Sequence, residues 1–167
     1  MEDLIKKIEQ WANDRNIIKG SKPIDQAMKL FSEFGELADN VGKGRDIKDD
    51  CGDVFVVLTV MAKQIGLDIN KALDFSGVSN ASLKHAVLGL NFCLYDFSVE
   101  QDQLSLLSAI ESLESVCIES NNDMQECVQL AYDDIKERKG ILINGVFIKE
   151  SDPTYAQVIA EIENNHV

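Results

Sequence analysis

Hydrophobic positions recur with helical spacing along most of the chain. Leu4, Ile5, Ile8, Trp11 and Ala12 form one stripe over residues 2–15. Ser21 and Pro23 mark the start of a second helix, because proline is tolerated in a first turn, where its missing N–H goes unused. That helix is predicted to run to about Val41 and to stop at Gly42-Lys43-Gly44. A third spans about 47–65 and ends at Gly66, with a short helix from Asp68 to about Phe75. Further helices are predicted near 80–97, 102–119 and 123–138. Past Gly140 the period changes, and Ile141-Leu142-Ile143 and Val146-Phe147-Ile148 read as two strands around a type I′ turn at Asn144-Gly145. A last short helix, about 153–163, follows Asp152-Pro153. The pattern predicts an all-α fold in one domain. Its core is four-helix-bundle-like and built from two helical halves, about 1–78 and 79–140, with a small C-terminal β-hairpin and terminal helix in 141–167.

A shift of 55 residues places Leu58 on Leu113, Ala62 on Cys117, Asp68 on Asp123 and Ala72 on Cys127. Each half then holds a long helix, a polar turn and a helix capped by Asp. Either the halves are duplicates, or two unrelated helices share similar turns. Under duplication Asp50 and Asp53 fall on Ser105 and Ser108, so only the first half carries acids.

Composition narrows the function classes. With 16 Lys+Arg against 29 Asp+Glu the net charge is −13, which argues against binding duplex nucleic acid. No apolar run approaches the ~18–20 residues that cross a bilayer, and the opening Met1-Glu2-Asp3-Leu4 is unlike a signal peptide, so the expectation is a cytoplasmic protein without membrane contact. Cys51, Cys93, Cys117 and Cys127 are widely separated and form no ligand cluster with His85 or His166. They read as free thiols in a reducing compartment.

Candidate chemistry lies in the acids. On a wheel of about 100° per residue, Ala27, Leu30, Phe31, Phe34, Leu37, Ala38 and Val41 cover one face of the second helix. Gln26, Lys29, Glu33, Glu36 and Asn40 form a polar stripe on its flank, while Asp25, Ser32 and Asp39 face outward. Such a stripe either stays solvated or meets a neighbouring helix. On the next helix Asp50 and Asp53 precede Val54-Phe55-Val56-Val57-Leu58-Thr59-Val60-Met61-Ala62, a run apolar around nearly its whole circumference and therefore buried. Gly52 beside Asp53 points to close approach by a ligand or by another backbone. Antiparallel packing of the two helices brings four carboxylates together, which repel one another unless cations neutralise them; hard oxygen donors suit Mg²⁺ or Mn²⁺. A divalent ion without an all-protein cage commonly holds a phosphate substrate. Lys29 shares the acidic stripe, and Lys136, Arg138 and Lys139 gather at the end of a later helix, where they serve either phosphate or the helix C-terminus. Trp11 and Tyr132 are candidates for base stacking or for core packing.

These residues resemble the MazG-like nucleoside triphosphate pyrophosphohydrolases, of the all-α superfamily that includes dimeric dUTPases. The family pattern, E-E-x-x-E on one helix and E-x-x-D on the next, is met here by Ser32-Glu33-Phe34-Gly35-Glu36 and Asp50-Cys51-Gly52-Asp53. Gln26-Ala27-Met28-Lys29-Leu30 and the stretch from Ala131 to Gly140, with the hairpin after it, also look like the family, so the resemblance covers about 20–75 and 125–150. It implies that Glu33, Glu36, Asp50 and Asp53 bind Mg²⁺ (or Mn²⁺), with Glu33 and Glu36 catalytic. It also implies that Gln26, Lys29, Lys136 and Arg138 hold the substrate, and that the protein is a homo-oligomer, a dimer. The implied reaction is hydrolysis of a (d)NTP between the α and β phosphates, giving a nucleoside monophosphate and pyrophosphate, in nucleotide-pool housecleaning. Two positions depart from the pattern. Ser32 replaces the first Glu, and a hydroxyl does not usefully accept a proton from water at neutral pH; Asp50 replaces a Glu and, being shorter, shifts a bound metal. The alternatives are a non-catalytic nucleotide- or metal-binding module that lost its base at Ser32, and a purely structural helical protein.

Overall fold

Every residue from Val54 to Ala62 is buried, so helix α4 (Lys48–Ile65) has to be enclosed by neighbours on all sides. In a computed structural model, which describes residues 1–73, 82–143 and 146–164 (the side chains of 161–164 aside), this enclosure organises the fold. Helices α1 (Glu2–Asp14), α2 (Ile17–Gly20), α3 (Pro23–Lys43), α6 (Gln103–Glu119) and α7 (Met124–Ile135) all pack on α4. Helix α5 (Leu83–Glu100) closes the arrangement by lying against both α6 and α3. The ring of contacts α3–α4–α6–α5 is a four-helix bundle, with two helices from each half of the chain. Helix α7 covers the remaining side of α4. A short 3₁₀ turn, Ile69–Ala72, stands where a helix to Phe75 is predicted; Phe75 itself lies outside the described residues.

The helix ends have local causes. In α3, Pro23 occupies the first turn and the Lys22 backbone N–H donates to Asp25 at 2.8 Å. Gly44 (φ +66°) and Gly66 (φ +75°) close α3 and α4 in the left-handed conformation that glycine adopts without steric cost. Lys48 and Gln103, which open α4 and α6, stand 55 residues apart, the offset of the internal similarity. Asp68 and Asp123 both cap the element that follows, accepting from the N–H of Asn70 at 3.1 Å and of Glu126 at 2.9 Å. Beyond these caps the halves diverge into a 3₁₀ turn and a three-turn helix.

Strands β1 (Gly140–Ile143) and β2 (Val146–Lys149) pair antiparallel, with Leu142 opposite Phe147 and Ile143 opposite Val146. The turn expected at Asn144-Gly145 lies outside the described residues. The hairpin docks on the turn between α1 and α2: the Leu142 N–H donates to the Arg15 carbonyl at 2.8 Å, and Asn16 Nδ2 donates to the Leu142 carbonyl at 3.0 Å. Leu142 thereby joins Ala12, Ile17 and Val60 in a small second core beside the main one. A last helix, α8 (Tyr155–Asn164), follows the hairpin.

Cys51, Cys117 and Cys127, from α4, α6 and α7, are buried free thiols, and Cys93 is half-buried. Gly52 explains how α7 comes so close. A Cβ there would meet the Cys127 carbonyl oxygen at 2.2 Å and the Ala131 Cβ at 2.7 Å. Of the two roles open to Gly52 in the sequence, backbone approach is the one observed. Gly52→Ala is expected to lower stability by about 1–3 kcal/mol through overpacking, despite the ~1 kcal/mol gained in helix propensity. Gly35→Ala on α3, where nothing lies within 4 Å of the new Cβ, is expected to raise it. Urea unfolding midpoints measure both.

Candidate functional site

Helices α3 and α4 run antiparallel. Near their connection Asn40 Nδ2 donates to Asp50 at 2.8 Å, and at the far end Gln64 Nε2 donates to Ser21 Oγ at 2.9 Å. Between these points the flank of α3 meets the polar edge of α4 and, with α1, α7 and the hairpin, encloses a cavity of about 360 Å³. Two of the four predicted acids, Glu33 and Asp53, line it. Glu33 is only 7% exposed. Its compensating charge is Lys29, one turn earlier on α3, which forms an ion pair with it. Burial, followed by repulsion from Glu33 and Asp49, pushes the Asp53 carboxyl up to about 7, against the opposing pull of Arg138 and Lys29.

The other two acids point elsewhere. Asp50 turns toward Asn40; burial raises its pKa and the Asn40 hydrogen bond partly offsets this. Glu36 is exposed and opens, with Ser32, Asp39 and Asn40, onto a separate surface depression. Spacing of three on a helix turns a side chain by about 60°, enough here to separate Glu36 from the cavity. Asp49, which the sequence motif passes over, lies one turn before Asp53 on the same face. Its pKa is raised by burial first, and then by the neighbouring charge of Asp134. An i, i+4 relation to Asp53 was the available signal.

The candidate substrate residues divide in the same way. Lys29, Gln26 and Arg138 line the cavity, whereas Lys136 lies outside it and pairs with Asp133 at 2.7 Å. Arg138 also pairs with Asp134, at 2.6 Å, on the exposed side. Helix α7 ends at Ile135, short of the expected 138, because Arg15 takes up the carbonyls beyond it. Arg15 Nε donates to the Arg138 carbonyl at 2.5 Å and Nη2 to that of Lys136 at 3.1 Å. The same guanidinium stacks over Trp11, 5.1 Å from the ring centroid, and Trp11 Nε1 donates to the Ile135 carbonyl at 2.8 Å. Arg15 thus positions the segment bearing Arg138, a role with no motif to announce it.

Much of the cavity lining is apolar. Trp11, Val56, Val60, Leu142 and Phe147 form its walls, while Ser21, Asp25 and Gln26 supply polar groups at the start of α3. Gln26 is buried, and its Nε2 donates to Ser21 Oγ at 3.0 Å. Trp11 therefore packs and lines the cavity at once; Tyr132 is not among the lining residues. Among the described residues no three acidic, His or Cys side chains surround a common point. The chemistry of the cavity's acids nevertheless fits a hard cation: their donors are all oxygen, and burial, followed by repulsion from Glu33 and Asp49, raises the Asp53 carboxyl. Among the described residues no helix is long and apolar enough to cross a membrane.

The chain is 50% identical over 70 residues to an uncharacterized 18.2 kDa protein from the rep-hol intergenic region of Haemophilus phage HP1 (strain HP1c1). The match covers 41% of this chain and 43% of that relative, less than half of either. No family model and no solved structure matches the chain.

Asp53 makes stability depend on pH. Its carboxyl titrates at about 3.9 in an unfolded chain and at about 7 when folded, so the folded state binds the proton more tightly. This contribution is fully present below pH ~4 and is lost as pH rises through ~7. In metal-free buffer Asp53→Asn is expected to match wild type at pH ~4 and to exceed it by about 1–3 kcal/mol at pH ~8, allowing for solvent screening. Denaturant unfolding across that range measures the difference.

Proposed function

We propose that this protein is a Mg²⁺-dependent nucleoside triphosphate pyrophosphohydrolase of the MazG-like type, cutting a (d)NTP between the α and β phosphates. The observation that carries this reading is one cavity whose lining combines the large apolar side chains Trp11 and Phe147 with the charged groups Glu33, Asp53, Lys29 and Arg138. A cavity of about 360 Å³ falls at the small end of the size range of small-molecule sites. The base enters the cavity against Trp11, where the Gln26 amide and Ser21 hydroxyl are available to its polar edge. The phosphates extend toward Lys29 and Arg138.

Glu33 and Asp53, the two motif acids that line the cavity, are the residues to hold the metal. Bound there, Mg²⁺ supplies charge neutralisation to the departing pyrophosphate and a more acidic water. The chain's own contribution is placement. Lys29, paired with Glu33, and Arg138, held through the Arg15 clamp on its backbone, present positive charge where the phosphates carry negative charge. The apolar walls keep bulk water from competing.

A second reading, a nucleotide-binding module without turnover, is favoured by one observation: Ser32 and Glu36 both open away from the cavity. Pyrophosphate release from a dNTP panel with Mg²⁺ separates the two readings, and titration calorimetry with a non-hydrolysable dNTP identifies binding without hydrolysis. Under the first reading Glu33→Gln and Asp53→Asn are expected to lower turnover by about 10²-fold or more. Glu36→Ala is expected to cost less than either.

The same geometry sets the expectation for Ser32→Glu. The new carboxylate opens onto the outer depression, so turnover is expected to rise by less than about tenfold, below the ~10²–10⁴ that general-base assistance gives. Pyrophosphate release at matched saturating Mg²⁺ checks this, and a larger gain would show the natural protein to be missing its base.

A further inference from the structure

Ser21, Asp25 and Gln26 line the cavity around the start of α3, and the hydrogen bonds among them fix which polar atoms are left over. Ser21 Oγ donates to the Ile17 carbonyl at 2.8 Å, so its one hydrogen is spent and only lone pairs remain. Two amides donate to it, Gln26 Nε2 at 3.0 Å and Gln64 Nε2 at 2.9 Å. Further carbonyls hold Gln64 in this orientation. Its Nε2 also faces those of Ile17 and Ile18, both at 3.3 Å, and that of Ser21 at 3.1 Å. The arrangement leaves Gln64 Oε1 buried with no partner among the described residues. Gln26 is fixed by the same logic: Ser21 has no hydrogen to give, so the Gln26 amide meets it through nitrogen and turns Oε1 away.

Asp25 completes the set. The helix wheel places it outward, yet it lines the cavity, exposed beside the buried Gln26. Its Oδ2 accepts from the Lys22 backbone N–H at 2.8 Å. Its other oxygen, and Gln26 Oε1, accept from none of the described residues. A ligand is therefore offered two uncommitted oxygens, one of them on a carboxylate, against the single remaining N–H of Gln26. Such a set suits a group that donates twice and rejects one that only accepts.

We propose, on the premise that the cavity takes a nucleotide, that Asp25 is the base-selecting residue. With Gln26 Oε1 it selects a base bearing an exocyclic amino group over one bearing a carbonyl at the same position. The amino group of cytosine or adenine brings two N–H donors. The carbonyl counterparts, uracil and hypoxanthine, set an oxygen lone pair against the carboxylate and leave it unpaired. A carboxylate that accepts from a base amino group discriminates by about tenfold or more, and the exposure of Asp25 puts it at the lower end. The two bases of each pair are alike in size, so the preference is read within one ring type.

Pyrophosphate release from dCTP against dUTP, and from dATP against dITP, with Mg²⁺ tests this, alongside titration with the α,β-imido analogue of each. In whichever ring size the cavity admits, the amino base is expected to be favoured about tenfold in kcat/KM and in Kd. Asp25→Asn keeps an oxygen for the Lys22 N–H and replaces the other by an amide donor. It is expected to keep the wild-type circular dichroism, to raise use of the carbonyl base and to lower use of the amino base, which general damage to the site would not do. A wild type that takes both kinds of base equally, or an Asp25→Asn variant that lowers both alike, overturns the inference and leaves the nucleotide reading standing. Failure to bind or cleave any of the four overturns that reading, and the inference with it.

Discussion

The contact of α4 with α7 through Gly52 is the one on which the rest of the structure depends. A helix that is apolar around its circumference is unstable in water and has to be wrapped, and wrapping it needs neighbours on every side. Gly52 lets the α7 backbone reach van der Waals contact with α4 one residue before the acidic edge at Asp53. Helix α7 in turn fixes where the chain leaves the bundle, and with it Arg138 and the hairpin.

The same wrapping creates the electrostatic problem that the cavity's residues address. Glu33 and Asp53 approach each other in a partly buried site, and an ionised pair there costs more than one charge alone. The protein offsets Glu33 with an adjacent Lys29 and leaves Asp53 near neutrality, with Arg138 as a more distant positive group. The site is thus charged but not saturated, a condition in which an incoming cation gains more than it would at a solvated surface.

Much of this was legible in the sequence because it rests on periodicity. The long helices, the hairpin and the burial of α4 all follow from spacing, and the helix ends follow from Gly44, Gly66, Asp68 and Asp123. The four residues of α2 carry no period to detect, and the retreat of the α7 end to Ile135 depends on Arg15, more than a hundred residues away in sequence. Within the site, the two motif residues Glu33 and Asp53, on adjacent helices, both line the cavity. The motif could not show that Glu36, one turn on, rotates out to solvent, or that Asp49 stands behind Asp53, because these depend on the angle at which α3 crosses α4. The apolar lining drew on α1 and the hairpin, whose nearness to α4 no local pattern encodes.

The distribution of thiols has a consequence of a different kind. Cys51, Cys117 and Cys127 are sealed between α4, α6 and α7. An enclosed thiol does not react with a soluble alkylating reagent until the helices part. Cys93, half-buried on α5, has no such protection. The protein therefore carries its own clock: one cysteine that keeps time with the surface, and three that record each occasion on which the bundle opens.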